Sequence, residues 1–264
     1  MIYLIAGVAF AFYTWGFIKA WQTRDSITRS TSCAWLVSAG LVAHTGFTHL
    51  VLFGQAGAQL SLPYVINLVA LIITMVVTLV SFRLPIDRLL ILVLPLSLLS
   101  LLVALTVAPQ STQDSAVDDL DAPLLAHILL SLAAYSALLL AACQSILLAV
   151  LDRQLKSPQR PAVTWLPPLE TMEHLLLAML WIGWVLLTLS IVSGFLFLDD
   201  MFAQRVAHHI VITSLSWLVY TVFLAGRYLF GWRGLTAVRW TLVAFTLLVI
   251  GYLGSKFVIE YLLA

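Results

Sequence analysis

Long apolar runs, separated by short polar segments, follow one another along the whole chain. The hydrocarbon core of a bilayer is ~30 Å thick, and a helix needs ~20 mostly apolar residues to cross it. We therefore predict an all-α, polytopic transmembrane helix bundle of about eight helices, forming one integral-membrane domain over 1–264. The predicted spans are Tyr3–Ile18, Cys33–Phe53, Leu62–Phe82, Leu89–Ala108, Leu124–Leu151, Leu175–Leu198, His209–Leu229 and Thr241–Leu263.

The composition agrees with a membrane protein. Hydrophobic residues make up 62% of the chain and charged residues 9%, whereas soluble domains are about half apolar and about a quarter charged. Such a chain cannot cover its apolar surface with a protein core alone, so the lipid bilayer is expected as a partner. The net charge is +1 and no block of basic residues occurs, so no nucleic-acid partner is expected.

Basic residues indicate the orientation of the helices. Of the 13 Lys and Arg residues, all except Arg205 and Lys256 fall on one side of the eight-helix pattern. Because Lys and Arg accumulate in cytoplasmic loops, that side is predicted to be cytoplasmic, with both termini outside. No basic residue precedes the first apolar run, so we interpret this run as a retained helix and not as a signal peptide.

Histidines are the main candidates for function, since ionisable side chains in membrane spans are costly and usually functional. Imidazole is a common axial ligand of haem iron, so histidines from different helices could hold haem. Spacing alone does not choose a ligand pair, and histidines at helix ends are often structural; His174, on the cytoplasmic side, is expected to be so. Five of the six histidines fall in the predicted outer half, namely His44, His49, His127, His208 and His209.

Other residue patterns limit the alternatives. Cys33 and Cys143 lie inside predicted helices and form no close pair, so both are interpreted as packing residues. No thiol pair, acid–base dyad or metal cluster falls outside the spans, so the chain is not expected to be an enzyme. The alternative function is a non-haem membrane subunit or small-solute permease with structural or proton-handling histidines. A b-type electron-transfer subunit ranks third, because the expected stacked histidine pairs do not occur.

Three segments carry a family resemblance. Leu124–Leu155 reads LLAHILLSLAAYSALLLAACQSILLAVLDRQL, in which His127 at the outer start of a helix precedes Ser131 and Tyr135 in an S-x-x-x-Y pattern. Ile212–Arg227 reads ITSLSWLVYTVFLAGR, and GWRG follows at Gly231–Gly234. In this order the segments resemble the cytochrome c assembly protein family, the CcsA/CcmC/CcmF-type haem-handling membrane proteins, and most closely its YpjD-like branch.

The resemblance implies a multi-pass protein of the bacterial inner (cytoplasmic) membrane. Such a protein would bind b-type haem non-covalently near the periplasmic face and pass it to apocytochrome c or to other cytochrome assembly proteins. By the resemblance, His127 and His208 match the two outer histidines that bind the iron axially, and His209 is an adjacent contender. His44 matches the first in-membrane histidine. We expect His44, His127 and His208 to converge on one cavity in the outer half.

Two positions depart from the family pattern. Only Asp199–Ala207 separates the sixth and seventh predicted helices, so the family's tryptophan-rich haem loop has no counterpart here. Ala225 stands where the family has its second in-membrane histidine. The first departure affects the presentation of haem to apocytochrome. The second affects one half of an in-membrane haem site.

Overall fold

The computed structural model describes residues 2–23, 31–53, 58–59, 61–83, 86–106, 116–117, 122–156, 166–197 and 207–254. Within these ranges, eight helices are long and apolar enough to cross a membrane. The all-α, multi-pass prediction is therefore confirmed. The helices are α1 Ile2–Gln22, α2 Thr31–Phe53, α3 Leu62–Ser81, α4 Leu90–Thr106, α5 Ala122–Leu155, α6 Leu169–Phe197, α7 Ala207–Phe230 and α8 Leu235–Val249.

Short elements supplement the helices. A two-residue strand pair, β1 Ala58–Gln59 and β2 Ala116–Val117, runs antiparallel. A 3₁₀ turn, Asp87–Leu89, leads into α4, and a π-helical turn, Ile250–Gly254, follows α8. Helices predominate because a segment in lipid has to satisfy its own backbone hydrogen bonds.

The helices form two compact units. In the first unit, α1 packs against α2 and α4, and α3 packs against the same two helices. In the second unit, α5 packs against α6 and α8, and α7 packs against those two as well. Each unit is thus a ring of four helices, while the prediction of one membrane domain over 1–264 stays a prediction.

Large apolar side chains lie on the outside of the helices. Tyr3, Val42 and Leu196 are 77%, 76% and 69% exposed. In water, so much exposed apolar surface would promote association, whereas in a bilayer it contacts lipid chains. The exposed side chains therefore agree with the membrane spans.

The turn between α7 and α8 corrects one predicted boundary. Gly231 and Gly234 have φ angles of +68° and +56°, a backbone conformation that favours glycine, and they reverse the chain. The last helix therefore begins at Leu235 and not at Thr241. The sequence-based boundary was wrong because it excluded Arg239, a charged residue that α8 includes. The sixth helix likewise begins at Leu169, earlier than the predicted Leu175.

A close approach of α1 and α2 depends on one glycine. A Cβ atom added to Gly40 would lie 2.7 Å from ring atoms of Tyr13. Because Gly40 lacks this atom, the Tyr13 ring fits directly against α2. His44 lies one helical turn after Gly40, and the Tyr13 hydroxyl reaches it.

Candidate functional site

His44 is at the centre of a buried polar network in the first unit. Its Nδ1 lies 3.0 Å from the Tyr13 hydroxyl, and its Nε2 lies 3.0 Å from Oδ1 of Asn67. The Asn67 amide nitrogen donates to the Thr48 hydroxyl at 2.9 Å. His44 and Tyr13 are 0% exposed, Asn67 is 1% and Thr48 is 4%, so protein groups alone supply these hydrogen bonds.

The partners of His44 determine its tautomer. Because Asn67 donates through its nitrogen to Thr48, its carbonyl oxygen faces His44 and accepts a hydrogen bond from Nε2–H. Nδ1 then carries the lone pair and accepts the hydrogen bond from Tyr13. Both ring nitrogens are therefore engaged, and iron binding would require one of these bonds to break. The role of His44 in haem binding stays a prediction.

The other histidine of the first unit faces away from this network. His49 is exposed, whereas His44 is fully buried. Five residues along a helix correspond to a rotation of about 140°, so one site is not expected to use both side chains.

His127 lies near the beginning of α5 and contacts α6. Its Nδ1 is 3.0 Å from the Ser193 hydroxyl oxygen, and the same hydroxyl donates its proton to the Ser190 backbone carbonyl at 2.8 Å. Ser193 can therefore only accept from His127, which makes Nδ1 the protonated nitrogen. The lone pair lies on Nε2, and no hydrogen bond to this atom occurs among the described residues.

His209 lies in the first turn of α7 and has the same tautomer. Its Nδ1 is 3.0 Å from the backbone carbonyl oxygen of Gly251. A carbonyl only accepts hydrogen bonds, so Nδ1 donates and Nε2 carries the lone pair. The imidazole also packs edge-on against the Tyr252 ring, with centroids 5.7 Å apart. These contacts fix the ring, and Nε2 makes no hydrogen bond within the described part of the chain.

The carbonyl that holds His209 belongs to the π-helical turn after α8. Such turns are rare and occur frequently at functional sites. Gly251 suits this position because an added Cβ would lie 3.2 Å from Ile212 and 3.3 Å from Thr213. The absence of a side chain therefore allows the π turn to pack closely on α7, beside His209.

Three residues on one face of α5 connect this helix to its neighbours. His127, Ser131 and Tyr135 are four residues apart, so their side chains point in the same direction. The Ser131 hydroxyl lies 2.7 Å from that of Ser190 on α6, and the Tyr135 hydroxyl donates to the Leu248 carbonyl on α8 at 3.3 Å. The S-x-x-x-Y pattern therefore connects α5 with α6 and α8.

His127 and His209 belong to one cluster. The Tyr252 ring lies 5.7 Å from the His209 ring and 5.1 Å from the ring of Tyr135, which shares its face of α5 with His127. All members lie at the end of the second unit where α5 and α7 begin and α6 and α8 end. We call these residues the histidine cluster: His127, Ser131, Tyr135, Ser190, Ser193, His209, Gly251 and Tyr252.

The remaining two histidines are His208 and His174. His208 belongs to the first turn of α7, but its side chain lies outside the described part of the structure. His174 is on α6, with its side chain 72% exposed and 3.8 Å from a carboxylate oxygen of Glu170. The predicted convergence of His44, His127 and His208 stays a prediction, as does the axial role of His208.

The donor set of the histidine cluster fits haem better than a bare metal ion. Within the described residues, no group of three or more His, Cys, Asp and Glu side chains could hold a metal. A structural zinc site takes four protein ligands, whereas haem iron takes at most two because the porphyrin supplies the other four. Two imidazoles that each present Nε2 would supply the two protein ligands that haem iron can take.

Sequence reasoning missed the groups that hold these histidines. Ser190 and Ser193 are two hydroxyls three residues apart in a mostly apolar span, and this spacing on one helix face was the available signal. Gly251 acts through its backbone carbonyl, for which no side-chain signal exists.

A cavity at one end of the first unit has no described histidine in its wall. Its volume is about 80 Å³, and it is lined by the ends of the four helices of the first unit. The polar groups in its wall include Thr23, Cys33, Ser81, Asp87 and Arg88. None of the His44 network residues of the same unit, Tyr13, His44, Thr48 and Asn67, lines this cavity.

The comparison with protein families identifies the family of the chain. The family model described as cytochrome C assembly protein matches residues 37–263. The chain belongs to the cytochrome c assembly protein family. This match includes six complete helices, α3 to α8, and most of α2, and both the His44 network and the histidine cluster depend on residues within it.

Individual relatives of this cytochrome c assembly protein are bacterial. The inner membrane protein YpjD of Escherichia coli (strain K12) is 34% identical over 207 residues, which cover 78% of this chain and 77% of that protein. An uncharacterized 28.8 kDa protein of Azospirillum brasilense is 31% identical over 140 residues, 52% of each chain. No solved structure matches.

Proposed function

We propose that this protein binds b-type haem non-covalently through His127 and His209 and passes it on during cytochrome c assembly. The observation that carries the proposal is that both imidazoles have the same tautomer. Each donates from Nδ1 to a fixed acceptor and leaves Nε2 with its lone pair. Family membership connects this ligand pair with cytochrome c assembly.

The residues of the chain would act by binding and orienting. His127, fixed to α6, and His209, fixed to the π turn, would supply one nitrogen each from different helices. Haem, when bound, would supply the iron porphyrin that c-type cytochromes contain. Because the attachment would be non-covalent and depend on two side chains, the protein is suited to carrying its cargo and not to chemical conversion. We accordingly propose a haem-handling protein and not an enzyme.

The position of the cluster supports delivery on the outer side. It lies at the end of the second unit opposite to the α7–α8 turn, and that turn carries Arg233 close to Arg227. Because basic residues accumulate on the cytoplasmic side, we place the cluster at the periplasmic face of the inner membrane. The name of the YpjD relative, an inner membrane protein, supports this location. Apocytochrome c or another assembly protein would then be the recipient.

Absorbance spectra of the detergent-purified protein, oxidised and reduced, test the proposal. Two imidazole nitrogens should give a low-spin spectrum, and losing one should leave water or an open position at the iron. His127→Ala and His209→Ala should therefore shift the spectrum to high spin or abolish binding. His174→Ala is the matched control on the exposed face of α6 and should leave the spectrum unchanged.

The spectra also distinguish the two adjacent histidines of α7. Neighbouring residues on a helix point about 100° apart, so only one of them can face the iron. If His208→Ala loses haem while His209→Ala keeps it, the sequence-based pair of His127 and His208 is correct. If the wild-type protein takes up no haem even after reconstitution, a non-haem membrane subunit or permease replaces this proposal.

Orientation has its own test. A reporter that is active only in the cytoplasm should stay silent when fused to the C-terminus, because we predict that both termini lie outside. Fused at the connection between α5 and α6, the same reporter should be active. Strong activity at the C-terminus would contradict the predicted orientation.

A further inference from the structure

We propose that Ser193 and the π-helical turn of α8 are positioning residues. They hold His127 and His209 in the Nδ1–H tautomer, so that both imidazoles present Nε2 to one ligand. The effect on haem rests on the proposed function, whereas the tautomers can be measured without haem.

On the α6 side, the hydrogen bonds of Ser193 determine that its hydroxyl oxygen accepts from His127. Its proton goes to the Ser190 carbonyl at 2.8 Å, so its oxygen has to accept from His127 at 3.0 Å. Ser193 is 6% exposed, and water has little access to replace it. The neighbouring Ser190 hydroxyl is engaged by Ser131 at 2.7 Å, which fixes α6 against α5.

On the α8 side, the acceptor is a backbone carbonyl and therefore cannot donate. Gly251 packs against Ile212 and Thr213 of α7, so its carbonyl stays beside His209. Tyr135 connects this turn to α5 through its hydrogen bond to the Leu248 carbonyl. The same α5 face that carries His127 thus also holds the turn that fixes His209.

The chemical effect follows from the second hydrogen bond of each imidazole. A ligating histidine that donates its other N–H has a fixed tautomer and a more basic ligating nitrogen, and losing such a partner typically costs 10–100-fold in metal affinity. A more basic nitrogen favours ferric iron over ferrous iron. Ser193 is therefore expected to increase haem affinity and to lower the reduction potential of bound haem.

Nitrogen-15 NMR of histidine-labelled, haem-free protein tests the tautomers directly. In the wild type, His127 and His209 should carry the proton on Nδ1, whereas His44 should carry it on Nε2. Ser193→Ala should change the His127 tautomer, and Ser193→Thr, which keeps a hydroxyl, should restore it. Ser136→Ala is the matched control, because this buried α5 serine donates to the Leu132 carbonyl at 2.7 Å and should change no histidine.

Haem titration and spectroelectrochemistry of the same variants test the consequence. Ser193→Ala should bind haem about tenfold more weakly and at a higher reduction potential, while Ser193→Thr and Ser136→Ala should resemble the wild type. A loss of folding alone would lower thermal stability without changing the potential of the haem that remains bound.

The outcomes separate the two proposals. If His127 carries its proton on Nε2 in the wild type, or keeps its tautomer in Ser193→Ala, the positioning role is wrong even when haem binds. If the tautomers are as stated but the wild type binds no haem, the proposed function fails, and the role of Ser193 in haem binding fails with it. The hydrogen bonds would then be structural.

Discussion

Each unit holds a histidine beside a tyrosine, but the hydrogen-bond partners of the imidazoles differ between the two units. In the first unit, His44 has a phenol on one nitrogen and an amide on the other. In the second unit, Nδ1 of His127 lies beside the Ser193 hydroxyl. Nδ1 of His209 lies beside the Gly251 carbonyl and, at 3.4 Å, the Thr213 hydroxyl, while neither Nε2 has a hydrogen bond among the described residues. The partners, and not the depth in the membrane alone, thus decide whether a nitrogen remains available for a ligand.

Burial adds to the difference between the units. His44 is 0% exposed, whereas His127 and His209 are only half-buried. A buried polar group that loses its hydrogen-bond partner costs about 1–3 kcal/mol, so His44 and its partners depend strongly on one another. The half-buried imidazoles are more accessible to a ligand, as the proposed binding of haem requires.

Removal of the His44 imidazole is expected to have the largest effect on stability. His44→Leu leaves the Tyr13 hydroxyl and the Asn67 carbonyl without their partner. Two such losses should lower the free energy of unfolding by about 3 kcal/mol, while haem binding by the folded protein should remain. Thermal unfolding in detergent, followed together with the haem spectrum, measures both quantities.

A surface histidine provides the control for this change. His174→Leu replaces a side chain that is 72% exposed, and surface substitutions usually change stability by less than about 0.5 kcal/mol. If His44→Leu is as stable as His174→Leu, the His44 network does not stabilise the first unit. If it folds but loses haem, His44 is a ligand, and the contrast between the units is wrong.

The sequence predicts the membrane spans well because each is a local property of about twenty residues. It also places His127, Ser131 and Tyr135 on one face of α5, since residues four apart share a face. The partners Ser193, Gly251 and Tyr13 lie on other helices, however, and local spacing does not determine which distant helices meet. Which histidine nitrogen is available therefore became visible only from the packed structure.

The close contact between α1 and α2 should produce the next largest effect. In Gly40→Ala, the new Cβ would lie 2.7 Å from the Tyr13 ring, so the ring has to move and its hydrogen bond to His44 weakens. Overpacking of this kind costs about 1–3 kcal/mol, which thermal unfolding in detergent should show.

Another glycine of α2 is the matched control. A Cβ at Gly46 would meet its nearest neighbour, Ile5, at 3.8 Å, an ordinary contact. Gly46→Ala should therefore be neutral or slightly stabilising, because alanine favours a helix by about 1 kcal/mol. If Gly40→Ala and Gly46→Ala are equally stable, the contact between the Tyr13 ring and α2 does not contribute to stability.

The smallest effect on stability is expected in the π turn. In Gly251→Ala, the new Cβ would lie 3.2 Å from Ile212 and 3.3 Å from Thr213, so a shift of a few tenths of an ångström relieves the contact. The cost should lie near the lower end of the about 1–3 kcal/mol that is typical of overpacking. The same shift moves the carbonyl that accepts from His209, so haem affinity should fall more than stability does.

This imbalance is what distinguishes the second unit from the first. Gly40→Ala should lower the thermal stability and leave the haem spectrum unchanged. Gly251→Ala should lower haem affinity more than it lowers stability. Gly254→Ala is the control within the same turn, because its Cβ would meet Ile250 at 3.8 Å, and it should change neither quantity. If Gly251→Ala lowers stability as much as Gly40→Ala but leaves haem affinity unchanged, the π turn supports the fold and does not position His209.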